Sequence, residues 1–398
     1  MRLATRMSKL PPSPTLAMNA KAAELRAQGK DVISFAAGEP DFDTPDHIKE
    51  AAAKALRDGK TKYTEVRGIL PLREAVCDWV AEHKGLRYEP KKQVVVSLGG
   101  KQAVFNLLHV MLEEGDEIVI PAPIWVAYEP VAVLAGAKVV LVQTSEESGF
   151  KMTPAQLKEA ITPRTRLVVL NSPCNPTGCV YTRKELERIA EIVLPTKAMV
   201  LTDEIYGKIL YDGEEHVSIA SLSSEMKERT ILLDGFSKTY AMTGWRMGYT
   251  LGPAEIITAM DTLQSQSTSN PVTFAQWAGV AALRGPHDFL KGWVAEYDRR
   301  RRAVVDGLNA VEGLSALMPK GAFYVFPRVS GLFGRKGPSG PIEDSNGVGL
   351  YLLEHAQCAC VPGIGFGDDA FIRLSYATSF ENVQKGIERI RSAVGQLG

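Results

Sequence analysis

From His47 to Arg284 the chain alternates short apolar runs with segments of helical pattern. The apolar runs are Val94 to Ser97, Glu117 to Ile120, Lys138 to Val142, Leu167 to Leu170, Met199 to Thr202 and Thr230 to Leu233. Strands this short and this apolar are covered on both faces, and the helical segments between them supply the cover. The pattern therefore predicts a mostly parallel sheet with helices on both sides. Upstream, helical patterning from Leu16 to Gln28 leads to a short strand, Val32 to Phe35, and then to Ala36-Ala37-Gly38-Glu39-Pro40. Gly38 lets backbone approach a ligand closely there. Downstream come a long helical region, the apolar run Ala322 to Phe326, a strand-like Phe371 to Ser375 and a final amphipathic helix. Ser330 to Gly349 is rich in Gly, Pro and Ser and reads as a flexible surface loop. No internal repeat is visible.

Composition narrows this picture. With 398 residues and 45% hydrophobic content, the chain exceeds the range where one core usually suffices, so two domains are expected. Lys+Arg and Asp+Glu balance at 46 each, which leaves no global field to attract nucleic acid or an anionic membrane. Arg299 to Arg302 form a basic run, but Trp293, Tyr297, Val304 and Leu308 around them trace a helical apolar stripe. The run reads as a solvated helix face. The five cysteines are odd in number and scattered, and Cys358-Ala359-Cys360 is too tight for a paired metal ligand, so reduced thiols in a cytoplasmic protein and no metal are expected. The N-terminal stretch through Pro11-Pro12-Ser13-Pro14 lacks an apolar segment long enough for a signal peptide or a membrane span.

Chemistry-bearing residues collect where the apolar runs end. Asn175-Pro176-Thr177-Gly178 follows Leu167 to Leu170, Asp203 and Tyr206 follow Ala198 to Leu201, and Ser237-Lys238-Thr239 follows Thr230 to Leu233. In an open α/β sheet that edge is where ligands bind. A lysine, a hydroxyl and, in Gly244-Trp245-Arg246, an arginine within one short segment can hold a phosphorylated aldehyde. Gly99-Gly100-Lys101-Gln102 opens a helical run after a strand, where free N–H groups and the helix dipole favour an anion. It is not a nucleotide P-loop, because Val95 and Gln102 stand where that motif needs Gly and a hydroxyl. Gly363-Ile364-Gly365-Phe366-Gly367 misses the dinucleotide spacing and lies outside a leading βαβ unit. Taken singly, each residue has a plainer reading: Lys238 as a surface lysine, Asp203 as a turn or cap residue, Trp125 as core, Arg373 as half of a surface ion pair.

Read together, Gly-Gly-Lys-Gln, Asn-Ser-Pro-Cys-Asn-Pro-Thr-Gly (171–178), Ser-Lys-Thr (237–239) and Ala-Met-Thr-Gly-Trp-Arg (241–246) resemble the class I aminotransferases. These are pyridoxal phosphate (PLP) enzymes of fold type I, and the resemblance is to their bacterial aspartate branch. It covers nearly the whole chain. It implies a large α/β domain over residues 46–285 that binds PLP, and a small α+β domain built from 1–45 and 286–398. Lys238 would form the Schiff base and shuttle a proton, which requires a pKa of roughly 7 to 8 in place of about 10.4. Ser237, Arg246, Gly100, Lys101 and Gln102 would surround the phosphate, with Tyr63 contributed by a neighbouring subunit of a homodimer. Asp203 would face the pyridine nitrogen, Tyr206 and Asn175 the phenolic oxygen, and Trp125 would stack on the ring. A planar arginine grips a carboxylate through two parallel hydrogen bonds. By the resemblance Arg373 does so for the α-carboxylate, with Asn175 and the Gly38 backbone as helpers.

The resemblance implies a ping-pong transfer of an amino group from an L-amino acid, with aspartate favoured, to 2-oxoglutarate. Gln264 to Asn270 lacks the arginine that holds the distal carboxylate in other branches, so Lys101 is expected to replace it. Relatives that accept prephenate carry a basic residue before a Pro-Ser pair, where this chain has Pro11, so that activity is not expected, although Lys9 is near. An aromatic or neutral amino-acid aminotransferase is the nearest alternative. A PLP-binding sensor would bring a DNA-binding segment, and only a short stretch precedes the first helical pattern.

Overall fold

The computed structural model describes residues 3–10, 14–338 and 340–398. A seven-stranded sheet forms its centre, in the spatial order Val94–Ser97, Gly248–Leu251, Thr230–Gly235, Met199–Asp203, Thr165–Asn171, Glu117–Ala122, Lys138–Gln143. The neighbouring pairs are parallel from Thr230–Gly235 to Lys138–Gln143. Gly248–Leu251 alone runs the other way, antiparallel to both of its neighbours. The apolar-run pattern anticipated six of the seven strands and missed this one. Gly-Tyr-Thr-Leu has no apolar run of its own, and its pairing on both sides makes it a strand.

Side chains alternate across the sheet, as the two-residue period of a strand requires. Val95, Ile118, Ile120, Leu167, Val169 and Leu201 face the helix Gly99–Met111, which buries Val104, Leu107 and Leu108 against them. Val119, Val168, Leu170 and Val200 face the opposite way, toward Leu186, Ile189 and Val193 of the helix Arg183–Val193. That helix starts at a Thr182/Glu185 capping box, in which each side chain satisfies a backbone N–H of the other residue.

A second apolar cluster joins the N-terminal segment to the last third of the chain. Ile33–Ser34 pairs in parallel with Cys358–Ala359, while Ile372–Ser375 pairs antiparallel with Val361–Pro362 and Tyr324–Val325. The helices Phe289–Asn309 and Phe380–Val394 cover this region, burying Tyr297, Val304 and Leu308 from one and Val383, Ile387 and Ile390 from the other.

Two expectations are corrected. Ser330 to Gly349 is not a single surface loop: it holds a 3-10 turn, Ser330–Leu332, a hairpin pairing Lys336–Gly337 with Gly340–Pro341, and the start of the helix Ser345–His355. Burial of Leu332, Ile342 and Val348 and the Asp344 cap on Gly347 N–H tie the stretch down despite its composition. Nor is the basic run wholly solvated. Arg300 pairs with Asp41 and Glu296, and fully buried Arg301 pairs with Asp212 and Asp298, leaving Arg299 and Arg302 as its exposed members. Among the described residues no helix is long and apolar enough to cross a membrane.

Candidate active site

The carboxyl ends of the parallel strands open onto a cavity of about 420 Å³, lined by Gly38, Gly100, Lys101, Trp125, Asn175, Asp203, Tyr206, Ser237, Lys238, Arg246 and Arg373. Most arrive from a strand end or the loop beyond it, while Gly100 and Lys101 belong to the first turn of the helix Gly99–Met111 and Arg373 to the strand Ile372–Ser375. Asp203 is the last residue of its strand, Asn175 lies in the turn after Thr165–Asn171, and Ser237 and Lys238 follow Thr230–Gly235. Fold topology thus brings together residues far apart in the chain.

The Lys238 amine donates to the Gly38 carbonyl oxygen and stands 5.8 Å from the Tyr206 ring and 5.9 Å from that of Phe323. Burial, reinforced by the positive charges of Arg373 and Arg246, lowers its pKa to about 8. Asp203 is pushed the other way. Burial raises its pKa to about 6, although Tyr128 Oη–H donates to it at 2.5 Å and Ile205 N–H at 3.2 Å. A buried carboxylate so placed favours a cationic partner.

Arg373 is 3% exposed, and its two terminal nitrogens donate to neutral oxygens: Nη1 to Asn175 Oδ1 at 3.1 Å and Nη2 to the Ala36 carbonyl at 2.7 Å. Its Nε has no partner, and no carboxylate pairs with it among the described residues. The rings of Tyr324 and Phe366 lie 4.7 and 5.1 Å from the guanidinium. A buried cation without an anion is costly unless a ligand supplies one.

The helix Gly99–Met111 begins at the cavity wall, with φ of +77° at Gly99. A Cβ there would meet the Arg246 guanidinium at 2.8 Å, so the absent side chain lets the arginine lie against the helix start. N–H groups, dipole and guanidinium converge on one anion-sized corner.

Two expected residues lie elsewhere. Gln102, one step further round the helix, is engaged by Leu98 N–H at 2.6 Å and Thr268 Oγ1 at 2.5 Å and does not line the cavity. Tyr63 is 89% exposed on the surface of this chain. Two residues were not anticipated: Tyr128, the partner of Asp203, and Tyr324, whose hydroxyl lies 2.8 Å from that of Tyr206. Only the spacing of Tyr128 from Trp125 hinted at the first, and Tyr324 sat inside an apolar run that reads as core.

The family model for aminotransferase class I and II matches residues 30–390. This chain belongs to the class I and II aminotransferases. The aspartate aminotransferase of Geobacillus stearothermophilus is 46% identical over 390 residues, 98% of each chain. The aspartate/prephenate aminotransferase of Nitrosomonas europaea is 44% identical over 395 residues, 98% of this chain and 99% of that one. Among solved structures, the aspartate aminotransferase of Rhizobium meliloti superposes with a TM-score of 0.96 at 43% identity, with full coverage of both chains. This aminotransferase is PLP-dependent and has fold type I. The cavity suits that cofactor: its lining holds the helix start with the Arg246 guanidinium, a buried carboxylate without a cationic partner among the described residues, and a lysine with a lowered pKa.

Proposed function

We propose that this aminotransferase takes L-aspartate as its preferred donor and 2-oxoglutarate as its acceptor, in a ping-pong cycle. The observation that carries the reading is the buried, anion-less Arg373 in the same cavity as Lys238. The names of the relatives point to the same donor.

PLP, when bound, supplies an aldehyde that exchanges amines and a ring that accepts electrons from the substrate Cα. The start of Gly99–Met111, Ser237 and Arg246 would hold its phosphate. Asp203, steadied by Tyr128, would stand against its ring nitrogen, with Trp125 across the ring face and Tyr206 and Asn175 at its phenolic oxygen. Arg373 would receive the α-carboxylate, orienting Cα–H toward Lys238. With its pKa near 8, Lys238 has enough neutral amine at physiological pH to take that proton and return it to the other carbon. Lys101, whose amine stands 5.5 Å over the Trp125 ring at the cavity wall, would pair with the distal carboxylate.

We also assign residues 46–285 to a large domain and 1–45 with 286–398 to a small one, in a cytoplasmic homodimer. The separate apolar clusters support the division, and the exposure of Tyr63 supports a partner site that it completes. Mixing inactive Tyr63→Ala and Lys238→Ala chains would restore part of the activity in such a dimer.

A second reading, an aromatic, neutral or prephenate donor, is favoured by an apolar cavity of about 510 Å³ that shares Lys101, Trp125 and Val126 with the first. Pro11 to Ser13, on which the prephenate expectation turned, lie outside the described residues. A half-reaction decides between the readings. The holoenzyme is mixed with one amino acid at a time, without an oxo acid, and loss of the cofactor's visible absorbance is followed. Fastest conversion by aspartate and glutamate upholds the dicarboxylate reading; fastest conversion by aromatic or neutral amino acids replaces it.

A further inference from the structure

Tyr324 touches two of the residues on which the cavity's chemistry depends. It opens the strand Tyr324–Val325 and pairs with Ser375 of Ile372–Ser375, and Arg373, two residues before Ser375, shares that face of the small sheet. The Arg373 guanidinium stands 4.7 Å from the centre of its ring, and its hydroxyl lies 2.8 Å from that of Tyr206, 118 residues earlier in the chain. Tyr324 is fully buried and Tyr206 is 4% exposed, and both line the cavity. Neither hydroxyl has another partner among the described residues. Two phenols carry two protons, and the single bond between them uses one. A buried donor left unpaired is costly, so the other proton is available to whatever enters the cavity. The guanidinium lies closer to the Tyr324 ring than the Lys238 amine lies to the Tyr206 ring, at 4.7 against 5.8 Å. The nearer cation draws electron density from the Tyr324 oxygen and makes Tyr324 the stronger donor. Tyr324 O–H therefore donates to Tyr206, and the Tyr206 proton stays free.

We propose that Tyr324 is a positioning residue of the transamination: its hydroxyl directs the Tyr206 proton toward the cofactor's phenolic oxygen, and its ring holds the Arg373 guanidinium in place for the α-carboxylate. The inference rests on the readings of Tyr206 and Arg373 given above. A Cβ on Gly38 would meet the Tyr324 hydroxyl at 3.2 Å, so the glycine leaves that hydroxyl room to reach Tyr206. The ring face also offsets part of the cost of burying a cation that has no anion beside it.

A hydrogen bond donated to the phenolic oxygen stabilises its anion and makes it a poorer acceptor for the proton on the linkage between Lys238 and the cofactor. That proton is then lost at lower pH. The charged groups facing the two phenols are Arg373, Asp203, Glu39 and Lys238, each from a different segment. A substitution confined to the Tyr324 hydroxyl leaves all four in place, so the change it makes in the linkage's pH midpoint comes through Tyr206.

The test reads the pH midpoint at which the holoenzyme changes colour as the linkage loses its proton, in the wild type, Tyr324→Phe, Tyr324→Leu and Tyr206→Phe. Tyr324→Phe keeps the ring and removes the bond, and its midpoint should rise by about half to one pH unit, the scale of one net hydrogen bond. Tyr206→Phe should raise it at least as far. Tyr324→Leu also removes the ring, so KM for aspartate and for alanine should rise together by about tenfold, and more than in Tyr324→Phe. An unmoved midpoint in Tyr324→Phe beside a raised one in Tyr206→Phe overturns the inference and leaves the Tyr206 reading standing. A lowered midpoint in Tyr324→Phe also overturns it, because Tyr324 would then have been taking the Tyr206 proton. Unmoved midpoints in both overturn the Tyr206 reading, and the inference with it. Equal KM values in Tyr324→Phe and Tyr324→Leu overturn the part assigned to the ring.

Discussion

Lys84 ends the helix Leu70–Lys84 with its amine between Glu204 Oε2 at 2.5 Å and Asp234 Oδ2 at 3.0 Å, and only 4% of its side chain is exposed. Glu204 is the neighbour of Asp203, and Asp234 belongs to the strand that leads to Lys238. Burial opposes every charge in this group, but the pairing wins: Lys84 is held above the ordinary lysine range, and Glu204, which also accepts from His216 at 2.8 Å, well below the carboxylate range. One cation thus staples the ends of two strands that position the chemistry.

Removing that cation leaves buried Asp234 without its ion-pair partner and Glu204 with His216 alone. Lys84→Met should cost about 3–5 kcal/mol in denaturant unfolding at neutral pH. Glu204, with its depressed pKa, contributes stability that is present above its unfolded value and lost as pH falls through the folded one. In the variant Glu204 keeps only His216 as a cationic partner, so burial is less offset and its carboxyl less depressed, and the deficit against the wild type should shrink on acidification. A deficit that does not change with pH would refute the charge argument.

Lys238 should betray its lowered pKa before any turnover. Uptake of PLP by the cofactor-free protein needs the neutral amine, so its rate should rise with pH around a midpoint of about 8. After burial, Arg373 is the largest cause of that shift, so Arg373→Leu should move the midpoint upward. A midpoint that stays in place would show that the two charges do not sense one another.

Lys101→Ala should raise KM for aspartate much more than KM for alanine, which has no distal carboxylate. An exposed or half-exposed charge pair gives a modest effect, about threefold to tenfold for aspartate. Steady-state kinetics with both donors decides it, and equal losses reject the pairing.

Gly99→Ala places a Cβ where the Arg246 guanidinium lies and imposes a left-handed φ that costs a side-chain-bearing residue about 1–2 kcal/mol. The arginine is a flexible neighbour and can withdraw, so the fold should survive. Cofactor affinity should fall about tenfold or more, measured by titration with PLP while unfolding shifts only slightly.

The alternation of apolar runs and helical segments was legible because a strand buried on both faces has no polar choice to make, and five strands of the sheet announce themselves this way, while the largely uncovered edge strand Lys138–Gln143 showed only through its run Val139 to Val142. The motifs at their ends were legible as polar and charged residues following apolar runs, and most of those residues do line one cavity. Gly248–Leu251 was hidden because its strand character comes from its two neighbours and not from its own residues. Composition misled at Ser330 to Gly349, where a few buried side chains and one cap outweigh many Gly, Pro and Ser.

What the sequence by itself determined is the class of fold and the chemistry at the strand ends, since local pattern and residue type decide both. Only the tertiary structure decided which charges are paired. It buried Arg300 and Arg301 against distant carboxylates and left Arg373 without one among the described residues, and it set Tyr128 on Asp203 and Lys84 between Glu204 and Asp234. Those pairings span up to hundreds of residues, and a buried charge is settled by whichever partner the packed chain brings within reach.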